Sequence, residues 1–195
     1  QAGYRVLIGS RSAERAAAKA SELNAILGTA RIEGVANSEA AQRGHIVVLT
    51  VPYSAQLPTL KELKPALLGK VLVDVTVPLV PPRVSVVQLP QAQSAALIAQ
   101  NELGSDVRVV AAFQNVSAHH LLDLEHSVDC DVIVCGNNKD ARQSVIELAQ
   151  AIGLRGLHGG PLANSAAAEA LTSVLIFMNR HYKSPGAGIR ITALP

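Results

Sequence analysis

The chain has 195 residues, of which 49% are hydrophobic and 16% are charged, a composition that fits a folded globular domain and excludes a disordered segment. The formal net charge is +2 and aromatic residues make up 3%, which argues against a broad basic face and against stacking platforms for nucleic acid. No apolar run reaches the ~18 residues of a membrane span. With no secretory signal at the start, we expect a cytoplasmic protein that binds neither nucleic acid nor membrane.

Strand and helix patterns alternate along the chain. The predicted strands are residues 4–8, 30–35, 45–51, 71–75, 107–113, 131–135 and 154–158. The predicted helices are residues 12–27, 38–42, 55–63, 91–103, 117–124, 139–152 and 165–182. Several of the strands contain runs of consecutive apolar residues, such as 46–49 and 132–135, as expected where both faces of a sheet are covered. The alternation predicts an α/β fold of the Rossmann type, doubly wound around a mainly parallel sheet.

The two ends of the sequence carry further expectations. Gln1-Ala2-Gly3 has the pattern of a helix end. A G-x-G-x-x-G loop would lie about 20 residues before Ser10, so we expect the first strand and the Gly-rich loop to be missing from this chain. A Rossmann domain is predicted over 1–160 and a small helical part over 161–195. The helix at 165–182 is apolar around most of its circumference, which predicts a homodimer or higher homo-oligomer.

Open α/β sheets bind ligands outside the carboxyl ends of their strands. The segments that follow the predicted strands, including Gly136-Asn137 and Gly160-Pro161, are therefore the candidate ligand edge. Ser10 and Arg11 come just after the first predicted strand, where NAD enzymes place an acid on the adenosine ribose. A hydroxyl and a guanidinium suit the 2′-phosphate of NADP instead, and Arg15 adds a second cation. The alternative interpretation is a glycine turn before an ordinary capped helix with solvated arginines.

Other chemistries find little support in the residue types. His119, His120 and His126 cluster, but adjacent helical positions point about 100° apart, so no metal site is predicted. Cys130 and Cys135 are expected to be reduced thiols in the core, since no Cys-x-x-Cys is present. The sequence also has no G-x-S-x-G elbow on which a hydrolase would depend.

Five short segments in chain order resemble a known family. They are G-S-R at 9–11, V-L-T-V-P-Y at 48–53, D-V-T-V-P-L at 74–79, C-G at 135–136 and G-P-L-A-N-S at 160–165. Together they resemble the F420-dependent NADP oxidoreductases, also called NADPH-dependent F420 reductases. The resemblance implies hydride exchange between NADP and the deazaflavin coenzyme F420, and homo-oligomerisation through the C-terminal part.

The resemblance also assigns site residues by position. It implies that the 2′-phosphate is held by Ser10, Arg11 and Arg15. The nucleotide's path past the adenosine would be lined by Thr50, Val51, Pro52 and Tyr53, the nicotinamide by Gln114, Asn115 and Val116, and the deazaflavin side by Pro161, Leu162 and Asn164. No catalytic side chain is expected, because the protein need only hold two stacked rings near ~3–3.5 Å in a dry slot.

Alternatives stay open for the acceptor of the hydride. The best-known archaeal members have His-Thr-Ile where this chain has Gln114-Asn115-Val116. The soluble domains of ferric reductases share the G-S-R pattern, which makes an NADPH-dependent flavin or ferric reductase a second candidate. A β-hydroxyacid dehydrogenase or pyrroline-carboxylate reductase would need a proton donor, for which His181 and Lys183 are the candidates. A non-catalytic NADP-sensing module is the remaining possibility.

Overall fold

Seven strands and seven α-helices alternate in the described part of this computed structural model, residues 2–121 and 128–194. The strands are β1 (Val6–Ser10), β2 (Ile32–Ala36), β3 (Ile46–Leu49), β4 (Val71–Asp74), β5 (Arg108–Ala111), β6 (Asp131–Gly136) and β7 (Arg155–Gly160). The helices are α1 (Ala13–Leu27), α2 (Asn37–Arg43), α3 (Tyr53–Leu67), α4 (Ala95–Leu103), α5 (Ala118–Leu121), α6 (Lys139–Ala151) and α7 (Ser165–Tyr182). The predicted alternation is confirmed; the end of the helix predicted over 117–124, together with His126, lies outside the described residues.

The strands form a parallel pair, β1–β2, and a five-stranded sheet in the order β3-β4-β5-β6-β7. Strands β3, β4 and β5 are parallel, β6 is antiparallel to β5, and β7 is parallel to β6. A mainly parallel α/β sheet is thereby confirmed. Although β6 and β7 run against β5, the register pairs Gly136 with Val110 and Gly160 with Cys135, so both strands end level with the carboxyl ends of β3 to β5.

Both faces of the five-stranded sheet are buried. Along β4, Leu72 packs into a cluster with Leu60 and Leu67 of α3, whereas Val73 packs on the opposite face into a cluster with Val145 of α6. Successive side chains of a strand point to opposite faces, so alternate residues of β4 pack into alternate clusters. The consecutive apolar residues within the predicted strands are explained by this double cover.

Helix α1 and strand β2 approach so closely that only glycine fits at their contact. A Cβ on Gly34 would lie 2.1 Å from the backbone carbon and oxygen of Ala16. Ser12 caps α1 by accepting a hydrogen bond from the backbone N–H of Arg15 at 3.3 Å, and Gly28 ends the helix at φ 59°. The helix predicted over 12–27 is confirmed, and the tight contact fixes β1, α1 and β2 as one unit.

Helix α3 is longer than predicted, since it contains Pro58 and Pro65 instead of ending at residue 63. Proline lacks the N–H of a helical hydrogen bond and normally limits a helix. Here the helix continues because Leu60, Leu63 and Leu67 all reach the core, and their burial outweighs the lost backbone bonds. The continuous helix brings Gln56, near its start, over the end of β4.

The C-terminal residues close over β6. Asp131 accepts hydrogen bonds from Arg155 at 2.9 and 2.6 Å and from the backbone N–H of Ile191 at 2.6 Å. Arg155 holds the pKa of the Asp131 carboxyl below its usual value. Helix α7 contacts α4 and β6 before the chain reaches this clamp. No helix within the described ranges has both the length and the apolar character needed to cross a membrane.

Candidate functional site at the carboxyl edge of the sheet

Polar residues collect where β3, β4 and β5 end. Residues 50–53 follow β3, residues 75–77 follow β4 and residues 112–116 follow β5. These three strands are parallel, so their carboxyl ends share the edge at which open α/β sheets bind ligands. The structure therefore brings two of the predicted groups, 50–53 and 114–116, to one edge.

A sharp turn after β5 directs Gln114 back onto β4. Phe113 has a φ of 70°, a left-handed conformation that non-glycine residues seldom adopt, and the N–H of Val116 donates to the Phe113 carbonyl at 3.2 Å. The turn lets Gln114 Nε2 donate a 3.0 Å hydrogen bond to the backbone carbonyl of Asp74. Strain of this kind gathers at functional sites, where the surrounding structure holds it in place.

Helix α7 fastens the same turn from the other side. Thr172 Oγ1 donates a 2.9 Å hydrogen bond to the carbonyl of Gln114, and Asn115 Nδ2 donates to the carbonyl of Ala168 at 2.8 Å. Gln114 and Asn115 are 7% and 6% exposed. The 114–116 turn is thus held between β4 and α7. The side-chain amides of Gln114 and Asn115 form the hydrogen bonds that hold it there.

Asp74 lies at the end of β4 in a closed network of hydrogen bonds. Its Oδ1 accepts bonds from the N–H and the hydroxyl of Thr76 at 2.9 and 2.6 Å, and its Oδ2 accepts one from Gln56 Nε2 at 2.5 Å. Burial raises the pKa of the Asp74 carboxyl, although Thr76 and Gln56 counteract part of that rise. The Asp74 side chain is fully buried, and its hydrogen bonds stabilise the edge from the interior of the protein.

Glu169 is a second buried acid, on the second turn of α7. Its carboxylate accepts hydrogen bonds from the backbone N–H groups of Ala95 and Ala96 at 2.6 and 3.1 Å, at the amino terminus of α4. Burial raises its pKa to about 7; the two N–H bonds oppose that rise, and nearby Asp74 adds to it. Ser165 strengthens the junction of the helices through a 2.9 Å bond to Ser94, the N-cap of α4.

The predicted adenosine path runs from the end of β3 into α3. Thr50 and Pro52 are exposed, Val51 and Tyr53 are half-buried, and Pro52 stands at the N-cap position of α3. The pKa of Tyr53 is raised by burial and, secondarily, by the charge of Glu169. Tyr53 thus connects the open part of the edge to the buried acid behind it.

The predicted phosphate group lies at the junction of β1 and α1. Ser10 ends β1 and its Oγ accepts a 3.2 Å hydrogen bond from the N–H of Ser12. Arg11 and Arg15 are both exposed, and across residues 2–121 and 128–194 neither forms an ion pair. Their guanidinium groups stand at the amino end of α1, where an anion is favoured by the helix dipole.

The third predicted group, at 161–164, follows β7, whose last residue, Gly160, pairs with Cys135 beside the end of β5. Gln114 and Asn115 contact α7 further along, at Thr172 and Ala168. Leu162 is fully buried in the core, and its N–H donates to Asn137 Oδ1 at 3.0 Å. Pro161 and Asn164 are exposed, and Asn164 Nδ2 donates to the carbonyl of Gly159 at 2.7 Å.

Four residues that the sequence did not single out hold this edge through hydrogen bonds: Gln56, Ala168, Glu169 and Thr172. One signal was available, because Glu169 is the sole acid in the 18 residues of α7. A lone carboxylate on an otherwise apolar helix face indicates that the side chain has a hydrogen-bond partner in the interior or a function there. The carbonyl partner of Thr172 is a backbone atom 58 positions earlier, and no spacing in the sequence reports such a pair.

Comparison with known proteins identifies the family. The chain is 42% identical to the F420-dependent NADP reductase of Methanocaldococcus jannaschii over 198 residues, covering 97% of this chain and 88% of that protein. It belongs to the F420-dependent NADP reductase family. The protein of the same name from Methanothermobacter marburgensis is 39% identical over 201 residues, covering 100% of this chain and 90% of that protein.

Two further comparisons agree with membership of the F420-dependent NADP reductase family. The family model described as NADP oxidoreductase coenzyme F420-dependent matches residues 1–78, which contain the β1–α1 junction. The crystal structure of a candidate F420-dependent NADP-reductase from Arthrobacter sp. FB24 superposes with a TM-score of 0.80 at 22% identity, covering 98% of this chain and 90% of that one. The second likeness shows the shared fold, and the resemblance expected from the five sequence segments is confirmed.

Proposed function

We propose that this chain transfers a hydride between NADP(H) and the deazaflavin coenzyme F420. Its relationship over nearly the whole chain to proteins named F420-dependent NADP reductase carries the proposal. The chemistry of the edge supports it. Asp74 and Glu169 are both closed to solvent, so the described residues of the edge present amide, hydroxyl and apolar groups. A slot of that kind suits direct transfer between two rings that need no proton donor.

We assign the 2′-phosphate of NADP to Ser10, Arg11 and Arg15. The fit rests on the two exposed guanidinium groups, neither of which forms an ion pair in the described part of the chain, although the charge of Arg15 acts on nearby Glu14. Charge-assisted hydrogen bonds from arginine to phosphate are the strong, geometrically specific kind. Thr50 to Tyr53 then line the path of the adenosine, and the 114–116 turn meets the nicotinamide, as predicted from the sequence.

The two bound cofactors supply the redox chemistry, the loss of a hydride from one ring carbon and its gain by another. The chain's own residues hold the slot. Thr172 and the Asp74 carbonyl hold Gln114 from both sides, which fixes the position of the 114–116 turn relative to the sheet. Leu162 supports the wall from the core, while the exposed Pro161 and Asn164 stay candidates for the outer part of the deazaflavin side. Excluding water from the slot keeps the hydride from being lost.

We also propose that α7 forms a homo-oligomer interface and that 161–195 is the part of the chain that carries it. Phe177 and Tyr182 are 55% and 70% exposed, and Val174 and Met178 are exposed beside them. A single apolar patch on one helix suits a self-complementary contact around a two-fold axis. A cytoplasmic location is proposed because both cysteines, Cys130 and Cys135, are free and buried.

The function is tested with purified protein, NADPH and three acceptors: F420, FMN and FAD. We expect NADPH-dependent reduction of F420, followed at the deazaflavin absorbance, to exceed that of either flavin by at least about tenfold in kcat/KM. Faster reduction of FMN would move the protein to the flavin or ferric reductase alternative. NADPH binding without turnover of any acceptor would leave the sensing module, and turnover of a small imine or hydroxyacid alone would favour the dehydrogenase alternative.

A further inference from the structure

Glu169 is a buried carboxylate without a cation. Within residues 2–121 and 128–194 no lysine, arginine or histidine forms an ion pair with it, and its two oxygens accept hydrogen bonds from the N–H groups of Ala95 and Ala96. Burying an unpaired carboxylate is costly, and an apolar residue at this position of α7 would avoid the cost. The buried Glu169 carboxylate instead joins α7 to the amino terminus of α4 through these two hydrogen bonds.

Glu169 and Thr172 are one helical turn apart on the same face of α7. Residues three apart on a helix are neighbours along its surface. Glu169 contacts the start of α4, and Thr172 contacts the carbonyl of Gln114. Ala168, next to Glu169, accepts the bond from Asn115. The contact between Glu169 and α4 therefore sets the rotation and height of the helical turn that holds the 114–116 segment.

We propose that Glu169 is a positioning residue for hydride transfer, which fixes α7 on α4 so that Thr172 holds the 114–116 turn at the height the nicotinamide requires. The proposal rests on the proposed function. It assigns no contact between Glu169 and either cofactor. Glu169 acts through Thr172 and the backbone of the turn.

The surroundings of Glu169 give the junction a dependence on pH. The groups that face it are the N–H groups of α4, Asp74 of β4, Tyr53 of α3, Ser165 of its own helix and Cys135 of β6. Burial raises the pKa of Glu169 to about 7. The ionised form accepts both N–H bonds strongly, and protonation weakens the junction. Hydride transfer in the wild type is therefore expected to speed up as pH rises through about 7.

The test compares Glu169→Gln, Thr172→Val and the double variant with the wild type in single-turnover oxidation of NADPH by F420 between pH 6 and 9. Ser173→Ala is the matched control, since Ser173 is buried on the same helix and belongs to no part of the site. We expect Glu169→Gln to slow the transfer about tenfold at pH 8 with the Kd for NADPH within about twofold, and to flatten the pH profile. The double variant should be no slower than the slower single variant, because the two residues act in series.

A second readout does not depend on activity. Amide hydrogen exchange at 113–116 should become faster in Glu169→Gln and stay at the wild-type rate in Ser173→Ala. Exchange unchanged in Glu169→Gln, or additive losses of rate in the double variant, would overturn the proposal. If Glu169→Gln is insoluble, Thr172→Val decides. A hydride-transfer rate that still rises with pH near 7 in that variant would equally overturn the proposal. A wild type that reduces no F420 would reject the proposed function alone, since the exchange readout still reports on positioning.

Discussion

Thr172 and Gln114 are joined by a 2.9 Å hydrogen bond from a side-chain hydroxyl to a backbone carbonyl, across 58 positions of the chain. Gln114 in turn donates from its side chain to the carbonyl of Asp74 at 3.0 Å. These two bonds connect α7, the end of β5 and the end of β4 in a single line. The wall of the slot is thus fixed by neutral groups, and the two acids of the region lie behind it.

Arg11→Ala should weaken NADPH binding by about tenfold to a hundredfold, the effect of losing one charge-assisted bond to phosphate. The affinity for NADH, which lacks the 2′-phosphate, should change by less than about twofold. Isothermal titration with both nucleotides measures the two values. The control is Lys139→Ala, which removes an exposed cation from the start of α6. Equal NADPH affinity in Arg11→Ala and the control would remove the phosphate assignment.

Glu169 should make the stability of the wild type fall as pH rises. Burial raises its folded pKa from 4.5 to about 7. A carboxyl group with a raised folded pKa favours the folded state below its unfolded pKa, and this contribution is lost as pH rises through the folded value. The loss between pH 4 and pH 8 is on the order of 3 kcal/mol. Urea denaturation should show that Glu169→Gln lacks this fall; equal slopes against pH in the two proteins would contradict it.

The sequence predicted the elements well and the direction of one strand poorly. The range predicted for α1 agrees with the structure, in which Ser12 and Gly28 cap the helix through local contacts. The reversal at β6 has no local signal, because an apolar strand such as 131–136 has the same pattern in either direction. The register nevertheless places Gly160 beside Cys135, level with the end of β5, so the segment after β7 stays near the predicted ligand edge.

The candidate site likewise contains residues that local sequence signals reveal and residues that only tertiary packing brings together. Ser10 and Arg11 could be found because their chemistry is in the side chains, directly after a predicted strand. Glu169 and Thr172 act on backbone atoms of residues 95, 96 and 114, and tertiary packing alone brings those atoms near α7. Whether a helix face meets another helix end or a strand end is decided by topology, which a single sequence does not report.

Gly34→Ala should destabilise the protein by about 3 kcal/mol or more, because the new methyl group would overlap the Ala16 backbone and force β2 away from α1. Gly69→Ala is the matched control. Gly69 has a φ of 72° and no heavy atom within 4 Å of its Cβ position, so that variant should lose only about 1–2 kcal/mol of left-handed strain. Chemical denaturation of both variants gives the comparison, and equal losses would show that the contact relaxes freely.

Phe177→Glu should dissociate the proposed oligomer without unfolding the protomer. The ring is more than half exposed and stacks against His181, at 5.9 Å between centroids. Leu175 lies on the same helix but is 6% exposed, so a charge there would damage the core instead. Light scattering should show a lower mass for Phe177→Glu at micromolar concentration with an unchanged circular dichroism spectrum. A wild type that is monomeric under those conditions would reject the interface.

Direct hydride transfer between the two cofactors is the central claim, and isotope transfer tests it most directly. NADPH carrying deuterium on one face of C4 is incubated with F420 and the protein in ordinary water, and reduced F420 is analysed by mass spectrometry. For one of the two labelled faces, we expect one deuterium per reduced deazaflavin, because the hydride passes between ring carbons without meeting solvent. Reduced F420 without deuterium for either labelled face would contradict direct transfer, and the absence of reduced F420 would contradict the proposed activity itself.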